Sequence, residues 1–331
     1  MIFRAERAVA ADGSVDWVVV DADSYDLHVE STEFLLGLRA RDCSPNTMRA
    51  YSGRVALFLT YCAGNGLDWR EPGFLPMKRF KDWLVREPLP HQGQRKPVEP
   101  RYRSEGTANV VITAVCEFLR FGAAHGWVPQ RTVVMLASPK YLKHLPPGYD
   151  PGERDQFRTV SASAFRFRVA EPGYETLAAE QVGRMIALAR NARDRFFALM
   201  GCTGVRIGEA LGLRREDMHL LPNSRGLGCE AEGAHVHVRR RRDKANGALA
   251  KARRPRTIPV TEDLVSLYGD YRYERDLVEQ ATDCDMVFVN LFRSPLGRPM
   301  GYDNAKDMFD RLANAAGFTA RPHMLRHIVP A

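Results

Sequence analysis

Residues 201–218 read GCTGVRIGEALGLRREDM, and this stretch decides how the second half of the chain is interpreted. Its spacing predicts a helix over 204–213 with Thr203 as the N-cap. Arg206 then falls at the third helical position, where a capping box requires Glu or Gln because the helix N-terminus carries partial positive charge. A broken local rule is typical of a functional site, and a guanidinium beside helix-start amides suits a phosphate. Glu209, three residues further on the same face, either orients this guanidinium or simply pairs with it on the surface.

A basic loop follows at 239–256, RRRRDKANGALAKARRPR, between two predicted strands at His235–Val238 and 256–260. The loop holds nine basic residues and one acidic residue, so its local charge equals the +8 of the whole chain and the rest is close to neutral. A lysine beside a phosphate can protonate a leaving oxygen if neighbouring positive charge lowers its pKa. Lys251 is the candidate and Lys244 its competitor. The alternative is a solvated loop that touches DNA backbone without specificity.

The third motif is PHMLRH at 322–327. Pro322 suits the first position of a helix, and His323 and Arg326, three residues apart, share one face of it. Both side chains can donate hydrogen bonds to the non-bridging oxygens of one phosphate. The alternative for an isolated H-x-x-R is an ordinary helix surface. Each motif is weak alone, and the specificity lies in their combination and order.

In this order, GxTGxRxGEALxLxxxD, a basic hairpin ending K-x-x-x-x-R-T-I-P, and PHxLRH resemble the tyrosine recombinases, the phage-integrase family. The resemblance covers most of the chain. It implies a mainly α fold with a small antiparallel β-sheet, in which an N-terminal SAM-like helical core-binding domain precedes a tyrosine-recombinase catalytic domain.

The resemblance also implies a role for each motif residue. Arg206 and Arg326 would clamp the scissile phosphate and stabilise the charge of its transition state, and His323 would share this task. Lys251, five residues before Arg256 as in the family hairpin, would protonate the 5′-hydroxyl leaving group. The family nucleophile is a tyrosine that forms a 3′-phosphotyrosyl link, so that neither ATP nor a metal is needed. Family members close two domains around duplex DNA and assemble as four protomers on two sites.

The sequence departs from the family pattern after Arg326. The family continues with a second His or Trp and then the tyrosine, whereas residues 327–331 read HIVPA and the last tyrosine is Tyr302. Pro330 also predicts that the helix opened by Pro322 stops after about two turns. We therefore expect a C-terminally truncated recombinase that binds DNA but does not cleave it alone. Two alternatives stay open: a non-catalytic DNA-binding competitor, and a composite enzyme whose tyrosine another protomer donates in trans.

Composition and helix signals divide the chain into segments. Ser44-Pro45 predicts the start of a helix and Gly64-Asn65-Gly66 its end. In the second half, helices are predicted over about 178–190, 193–200 and 303–316. The predicted segments are a lead-in with a strand or two at 1–30, a helical SAM-like core-binding (DNA-binding) domain at 31–127, a Pro- and Gly-rich linker at 128–174, and a catalytic domain at 175–331 that stops after the HxLRH motif.

The positive charge points to a polyanionic partner. Of the 48 basic residues 40 are arginine, whose planar guanidinium suits bidentate phosphate contact. The alternative is that the base composition of the genome favours arginine codons over lysine codons. The density of charge in 239–256 is more specific and favours double-stranded DNA. The predicted DNA contacts are Arg49, Arg239, Arg240, Arg241, Arg242, Lys244, Arg253, Arg254 and Arg256.

Cysteine usage and hydropathy exclude other classes. The six cysteines show no C-x-x-C spacing, which indicates neither a disulfide framework nor a zinc site, so no metal and no cofactor is expected. The apolar runs are too short to suggest a membrane span. The N-terminal stretch MIFRAERAVAADGS has no apolar core of a signal peptide. We expect a cytoplasmic, nucleoid-associated protein.

Overall fold

The computed structural model confirms a mainly helical fold with small antiparallel sheets, as the sequence predicts. It describes every residue except 10–12, 14, 91–98, 171, 172, 174, 242–245, 249–253, 327, 330 and 331, and for 326, 328 and 329 it describes the backbone only. The chain divides into two compact units, Met1–Glu171 and Pro172–Ala331.

The first unit begins with a β-hairpin and continues with helices. Its elements are β1 (Phe3–Val9), β2 (Val15–Asp21), α1 (Val29–Ala40), α2 (Pro45–Gly64), α3 (Phe74–Arg86), α4 (Glu105–Ala124), α5 (Gln130–Met135), β3 (Ala137–Tyr141) and β4 (Thr159–Ser163). The predicted bounds of α2 are confirmed: the Ser44 hydroxyl accepts a hydrogen bond from the Thr47 amide at 3.1 Å, and the helix ends at Gly64. The β1–β2 hairpin supplies the strands predicted in the lead-in and packs on α2, where the Phe3 amide donates to the Thr60 hydroxyl at 2.8 Å.

Helix α4 is the central helix of the first unit. Half of its 20 residues are buried, including Ile112, Phe118 and Leu119, which belong to the two apolar cores of this unit. It is the one described helix whose length and composition would allow it to cross a membrane, and half of that stretch is buried inside the unit. The shortness of the apolar runs in the sequence therefore does not exclude a helix long enough to cross a bilayer. Burial inside the unit accounts for the apolar character of α4.

The segment predicted as a linker, 128–174, has structure of its own. α5 and the antiparallel pair β3–β4 lie within it. Phe165 is buried in the core formed by α3 and α4. Asn109 on α4 fastens the end of the segment, because its side chain donates to the Phe167 carbonyl at 3.0 Å and accepts from the Phe167 amide at 2.7 Å. Proline and glycine residues here lie in turns between these short elements.

The second unit combines helices with a three-stranded sheet. Its elements are β5 (Leu177–Ala178), α6 (Ala179–Leu188), α7 (Ala192–Cys202), α8 (Ile207–Ala210), β6 (Met218–His219), β7 (His235–Val238), β8 (Arg256–Pro259), α9 (Glu262–Asp276), α10 (Tyr302–Ala315) and β9 (Ile328–Val329). α6, α7 and α10 lie within two residues of their predicted bounds. The predicted β7–β8 hairpin is confirmed: Val238 pairs with Arg256 and Val236 with Ile258, and both valines are buried in the core.

Helix α9 has no counterpart among the predicted elements. It packs on α7, where Phe196 stacks with Tyr271 and Phe288 at ring-centroid distances of 5.7 and 5.3 Å. The Tyr271 hydroxyl donates to the Val287 carbonyl at 2.7 Å, which satisfies this buried polar group. The buried face of α9 also includes Arg275, so its pattern of apolar residues is too sparse to identify a helix from spacing alone.

The PHMLRH motif forms a 3₁₀ turn, Pro322–Arg326, instead of the predicted α-helix. Leu325 is buried against Gly201 at the end of α7, and after the turn β9 pairs in parallel with β5. A two-residue strand therefore follows the motif where a continued helix was predicted. Positions 323 and 326 still lie one turn apart, because a 3₁₀ helix has three residues per turn.

The packing of Leu325 against Gly201 generates the first prediction. A Cβ at position 201 would lie 2.5 Å from the Leu325 Cδ1 atom. We expect Gly201→Ala to destabilise the second unit by about 1–2 kcal/mol, because overpacking costs about 1–3 kcal/mol and the better helix propensity of alanine returns up to about 1. Urea unfolding followed by far-ultraviolet circular dichroism measures the change.

Gly183→Ala is the matched control, because Gly183 lies in the exposed face of α6 and an added Cβ would have no described atom within 4 Å. This variant should gain about 0.5–1 kcal/mol. Equal stability gains in both variants would show that the turn does not press on α7.

Candidate active site

Arg206 lies between two helices rather than inside one. Thr203 caps the end of α7, and α8 begins only at Ile207. Gly204 separates the helices with a φ of +84°, a left-handed conformation that glycine adopts without strain. The prediction of one helix over 204–213, with Arg206 at its third position, is therefore wrong.

Arg206 is instead the N-cap of α8, and the capping rule is obeyed. Glu209 occupies the third helical position, and its Oε2 atom accepts a hydrogen bond from the Arg206 amide at 3.0 Å. The backbone of Arg206 is extended, with φ −74° and ψ 149°. The side chain of Arg206 therefore projects from a short, capped connection between α7 and α8.

The carboxylate of Glu209 is fully buried and joins two arginines. Its Oε1 atom accepts from the Arg206 guanidinium at 3.0 Å, and its Oε2 atom accepts from the Arg256 guanidinium at 2.6 Å. Burial alone would raise the pKa of Glu209. The hydrogen bonds from Arg256 and from the backbone and side chain of Arg206 outweigh burial and lower this pKa below its ordinary value. Glu209 therefore stays ionised and fixes Arg206 of α8 to Arg256 at the start of β8.

A second buried carboxylate repeats this arrangement eight residues later. Asp217 accepts from the Arg214 amide at 2.9 Å and from both terminal nitrogens of Arg241 at 2.7 and 2.8 Å. Arg239 lies 3.7 Å from the same carboxylate. The pKa of Arg241 is raised, mainly by its hydrogen bonds to Asp217. Arg241 follows strand β7, so Asp217 holds the outgoing end of the basic loop as Glu209 holds its return.

The basic loop has a third anchor at Asn246. The side-chain amide of Asn246 donates to the Leu211 carbonyl, at the end of α8, and to the Met300 carbonyl, both at 2.9 Å. The predicted proton donor Lys251 and its competitor Lys244 lie outside the described residues, as do Arg242 and Arg253. Their roles stay predictions. The described parts of the loop are nevertheless attached to the segment that carries Arg206 at three points.

His323 lies on the exposed side of the Pro322–Arg326 turn. Its Nε2 atom lies 3.6 Å from a carboxylate oxygen of Glu175, which also lies 3.7 Å from the Arg321 guanidinium. The side chain of Arg326 lies outside what the structure describes, and its backbone completes the turn. Leu325, between the two predicted site residues, is the buried anchor of the turn.

The remaining predicted DNA contacts have different surroundings. Arg239, Arg240 and Arg254 are exposed. Arg49 is exposed on α2, with its guanidinium 5.7 Å from the ring centre of Trp17. Arg241 is half-buried, and its guanidinium is bound to Glu216 and Asp217. DNA contact by each of them stays a prediction.

A fourth group of side chains was not connected by the sequence analysis. Three imidazoles and one thiol on and beside β6 and β7 bring their ligand atoms within 4.8 Å of one another. This His–Cys cluster consists of His219, Cys229, His235 and His237. The expectation of no metal site rested on cysteine spacing alone. The usable signal was the HVHV alternation, which places two histidines on one face of a strand.

The sequence matches known proteins along most of its length. Residues 175–330 match the family model described as Phage integrase family. The chain is 28% identical over 288 residues to transposase A from transposon Tn554 of Staphylococcus aureus, a match that covers 86% of this chain and 73% of that protein. It is 24% identical over 241 residues to tyrosine recombinase XerD of Lacticaseibacillus casei, covering 72% of this chain and 64% of that one.

The fold resembles solved integrase structures. A lambda integrase dimer bound to a COC′ core site has a TM-score of 0.55 and 13% identity, covering 91% of this chain and 83% of that one. A lambda integrase tetramer bound to a Holliday junction has a TM-score of 0.51 and 12% identity, covering 90% and 70%. The fold is thus that of the integrase-type recombinases. Residues 175–330 thus match the phage-integrase family, and similarity in sequence to a transposase and to a tyrosine recombinase extends over most of the chain.

The buried Glu209 carboxylate generates a prediction about pH. We expect Glu209→Gln to destabilise the second unit by about 1–3 kcal/mol at pH 7, because hydrogen bonds to a charged group contribute that much. The lower half of this range is expected, since the Arg206 side chain is 41% exposed and solvent screens the pair.

The destabilisation should shrink in acid. Because the pKa of Glu209 is lowered in the folded state, its contribution is complete above the ordinary value of 4.5 and is lost as the pH falls through the lower folded value. Urea unfolding of both proteins from pH 7 downward measures the gap, with the exposed Glu279→Gln as the control. A gap that stays constant in acid would mean that Glu209 is not ionised in the folded protein.

Proposed function

We propose that the polypeptide of residues 1–331 binds double-stranded DNA and holds one phosphate among the side chains of its three motifs, as a site-specific recombinase does, but does not cleave DNA alone. The phosphate-binding residues are Arg206, His323 and Arg326, with Lys251 as the proton donor to the leaving oxygen and Lys244 as its competitor. The last tyrosine of residues 1–331 is Tyr302, which precedes the HxLRH motif.

The observation that carries this proposal is the shared Glu209 carboxylate. It joins Arg206 to Arg256, the residue five positions after Lys251. Lys251 itself lies outside the described residues, and its approach to the guanidinium that Glu209 orients is part of the proposal. Positioned donors act on a transition state because they need no reorganisation when charge develops. Glu209 thus has a supporting role: it positions Arg206 without touching the phosphate.

The seat of the third motif supports the same grouping. Leu325 lies against Gly201, and Arg206 follows Gly201 by five positions. The residues on either side of the Leu325 anchor, His323 and Arg326, therefore belong to a turn that lies against the end of α7. Two guanidiniums and an imidazole arranged around one phosphodiester would neutralise its charge and favour attack by a nucleophile.

The partner of this site is duplex DNA. Exposed arginines at both ends of the basic loop, Arg239, Arg240 and Arg254, supply charge for phosphate contacts. Two similar solved proteins are an integrase dimer on a core site and an integrase tetramer on a Holliday junction. By analogy we propose that this chain self-associates on DNA. Because its proposed partner is DNA, we propose that this chain works in the cytoplasm and is associated with the nucleoid.

A cleavage assay with a small exogenous nucleophile tests the retained site. Supercoiled plasmid is incubated with the protein and hydrogen peroxide, which can replace the tyrosine hydroxyl. We expect strand scission that falls at least about 100-fold in Arg326→Ala, since removing one transition-state donor costs about 10²–10³-fold.

Arg321→Ala is the matched control, because Arg321 precedes the same turn and its side chain is 70% exposed. It should retain scission. DNA binding without scission under any nucleophile would favour the non-catalytic competitor instead. Recovery of cleavage by a full-length relative that lacks its own counterpart of Arg206 would favour a tyrosine donated in trans.

The salt dependence of binding tests the basic loop. We expect the double variant Arg253→Ala/Arg254→Ala to flatten the slope of log affinity against log salt by up to about 0.9 for each phosphate that the variant no longer neutralises. Arg256 is left intact, because Glu209 binds it and its removal would also disturb Arg206.

The control for this loop variant is Arg272→Ala/Arg298→Ala, which removes the same charge from exposed positions elsewhere in the second unit. Fluorescence anisotropy of a labelled duplex over a range of salt concentrations gives the slopes. An identical change in both double variants would locate the DNA-binding surface outside the loop.

A further inference from the structure

The His–Cys cluster arises from strand register. On β7 the buried Val236 and Val238 face the core, and the alternating His235 and His237 lie on the opposite face. His219 on β6 is the direct cross-strand partner of His235. The loop between β6 and β7 brings the Cys229 thiol next to His235 and His237. Three imidazoles and a thiol are thus brought together by backbone pairing.

The tautomers of two rings follow from their backbone partners. The Nδ1 atom of His235 lies 2.7 Å from the Gly233 carbonyl, and the Nε2 atom of His219 lies 3.2 Å from the Glu216 carbonyl. A carbonyl oxygen only accepts, so both nitrogens must donate. In the neutral rings, the remaining nitrogen of each then carries a lone pair. For His235 this atom is Nε2, which lies 3.3 Å from the Cys229 sulfur, and for His219 it is Nδ1.

One of these lone pairs has no partner in the part of the chain that the structure describes. The Nδ1 atom of His219 is buried without a hydrogen bond among the described residues, and the whole residue is 7% exposed. The Cys229 thiol does not provide the missing hydrogen bond to His219, because it lies near the other two rings, 3.3 Å from His235 and 3.4 Å from His237. A buried polar atom of this kind normally has a partner, and a bound cation would supply one.

We infer that the His–Cys cluster binds one zinc ion, through a thiolate and three imidazole nitrogens. Tetrahedral zinc with bonds of about 2.0–2.3 Å places its ligand atoms about 3.3–3.6 Å apart. Three of the six separations are close to this: 3.3 and 3.4 Å from sulfur to nitrogen, and 3.2 Å between the Nε2 atoms of His235 and His237; all six are within 4.8 Å. The two ring-to-carbonyl hydrogen bonds are the outer contacts that orient metal-binding histidines.

The site is structural rather than catalytic. Four protein ligands complete the coordination of zinc and leave no position for substrate or water. Binding would expel the Cys229 thiol proton to solvent and fasten the 220–234 loop to the sheet. His219 lies two residues after Asp217, and His237 two residues before Arg239. The ion would therefore stiffen the strands that hold the outgoing end of the basic loop.

Metal content tests this inference directly. The full chain is purified without a metal-affinity tag, exposed to zinc, and dialysed against metal-free buffer. We expect one zinc per chain by inductively coupled plasma mass spectrometry. Cobalt in place of zinc should give the visible absorption of tetrahedral Co²⁺ and a near-ultraviolet thiolate charge-transfer band. Zinc should also raise the thermal midpoint of the metal-free chain, because it binds the folded state.

Two variants make the test specific. Cys229→Ser should weaken zinc binding more than about 100-fold, since losing even an outer contact costs about 10–100-fold, and it should abolish the charge-transfer band. Cys284→Ser, a half-buried cysteine of the same unit, should bind as the wild type does. His237→Ala serves as a second ligand variant if Cys229→Ser does not fold.

Substoichiometric zinc in the wild type, or equal zinc in Cys229→Ser and Cys284→Ser, would overturn the inference. The readout is metal content and does not involve DNA. It therefore succeeds or fails independently of the proposed recombinase site.

Discussion

The second unit depends on two carboxylates, Glu209 and Asp217, whose side chains have no access to water. An unpaired buried charge is strongly destabilising, so Glu209 and Asp217 must keep their arginine partners. Glu209 binds Arg206 and Arg256, and Asp217 binds Arg241. Glu209 connects the four-residue helix α8 to the return end of the basic loop, and Asp217, just before β6, holds the outgoing end. The eight-residue spacing of the two acids in the motif is thus a constraint on where the arginines of the hairpin lie.

A buried ion pair contributes less to stability than its geometry suggests, because desolvation of the charges offsets much of their attraction. Its use here is positional. Arg206 is partly exposed, while the carboxylate that orients it is not, so the guanidinium can meet a ligand from solvent without losing its support. The turn seated by Leu325 and the inferred zinc site act on neighbouring parts of the same unit. Each fixes a short or irregular segment that has little intrinsic stability.

The elements that the sequence predicted correctly are those whose signals are local. Ser44, Pro45 and Gly64 indicated the bounds of α2, and alternation indicated the β7–β8 hairpin. Prediction failed where tertiary contacts decide. The helix predicted through Arg206 is broken, because a buried carboxylate draws the chain into an N-cap, and the final motif is a 3₁₀ turn because Leu325 must reach Gly201. α9 was missed because its buried face includes tyrosine and arginine.

The residues of the candidate site likewise fall into those with a local sequence signal and those brought together by tertiary contacts. Motif residues could be identified from their order, and the Arg206–Glu209 contact follows from their spacing, but the link from Glu209 to Arg256 joins residues 47 apart and has no local signal. The His–Cys cluster likewise needs cross-strand register and a loop return. Cysteine spacing alone therefore does not reveal it.

A structure of this chain bound to a DNA duplex, at a resolution that locates phosphate oxygens, shows whether the three motifs act on one phosphate. We expect Arg206 and Arg326 both to donate to the oxygens of one phosphate, with His323 and a lysine of the basic loop beside it. Arginines that contact different phosphates, or DNA bound on a surface without these residues, would contradict the proposed site.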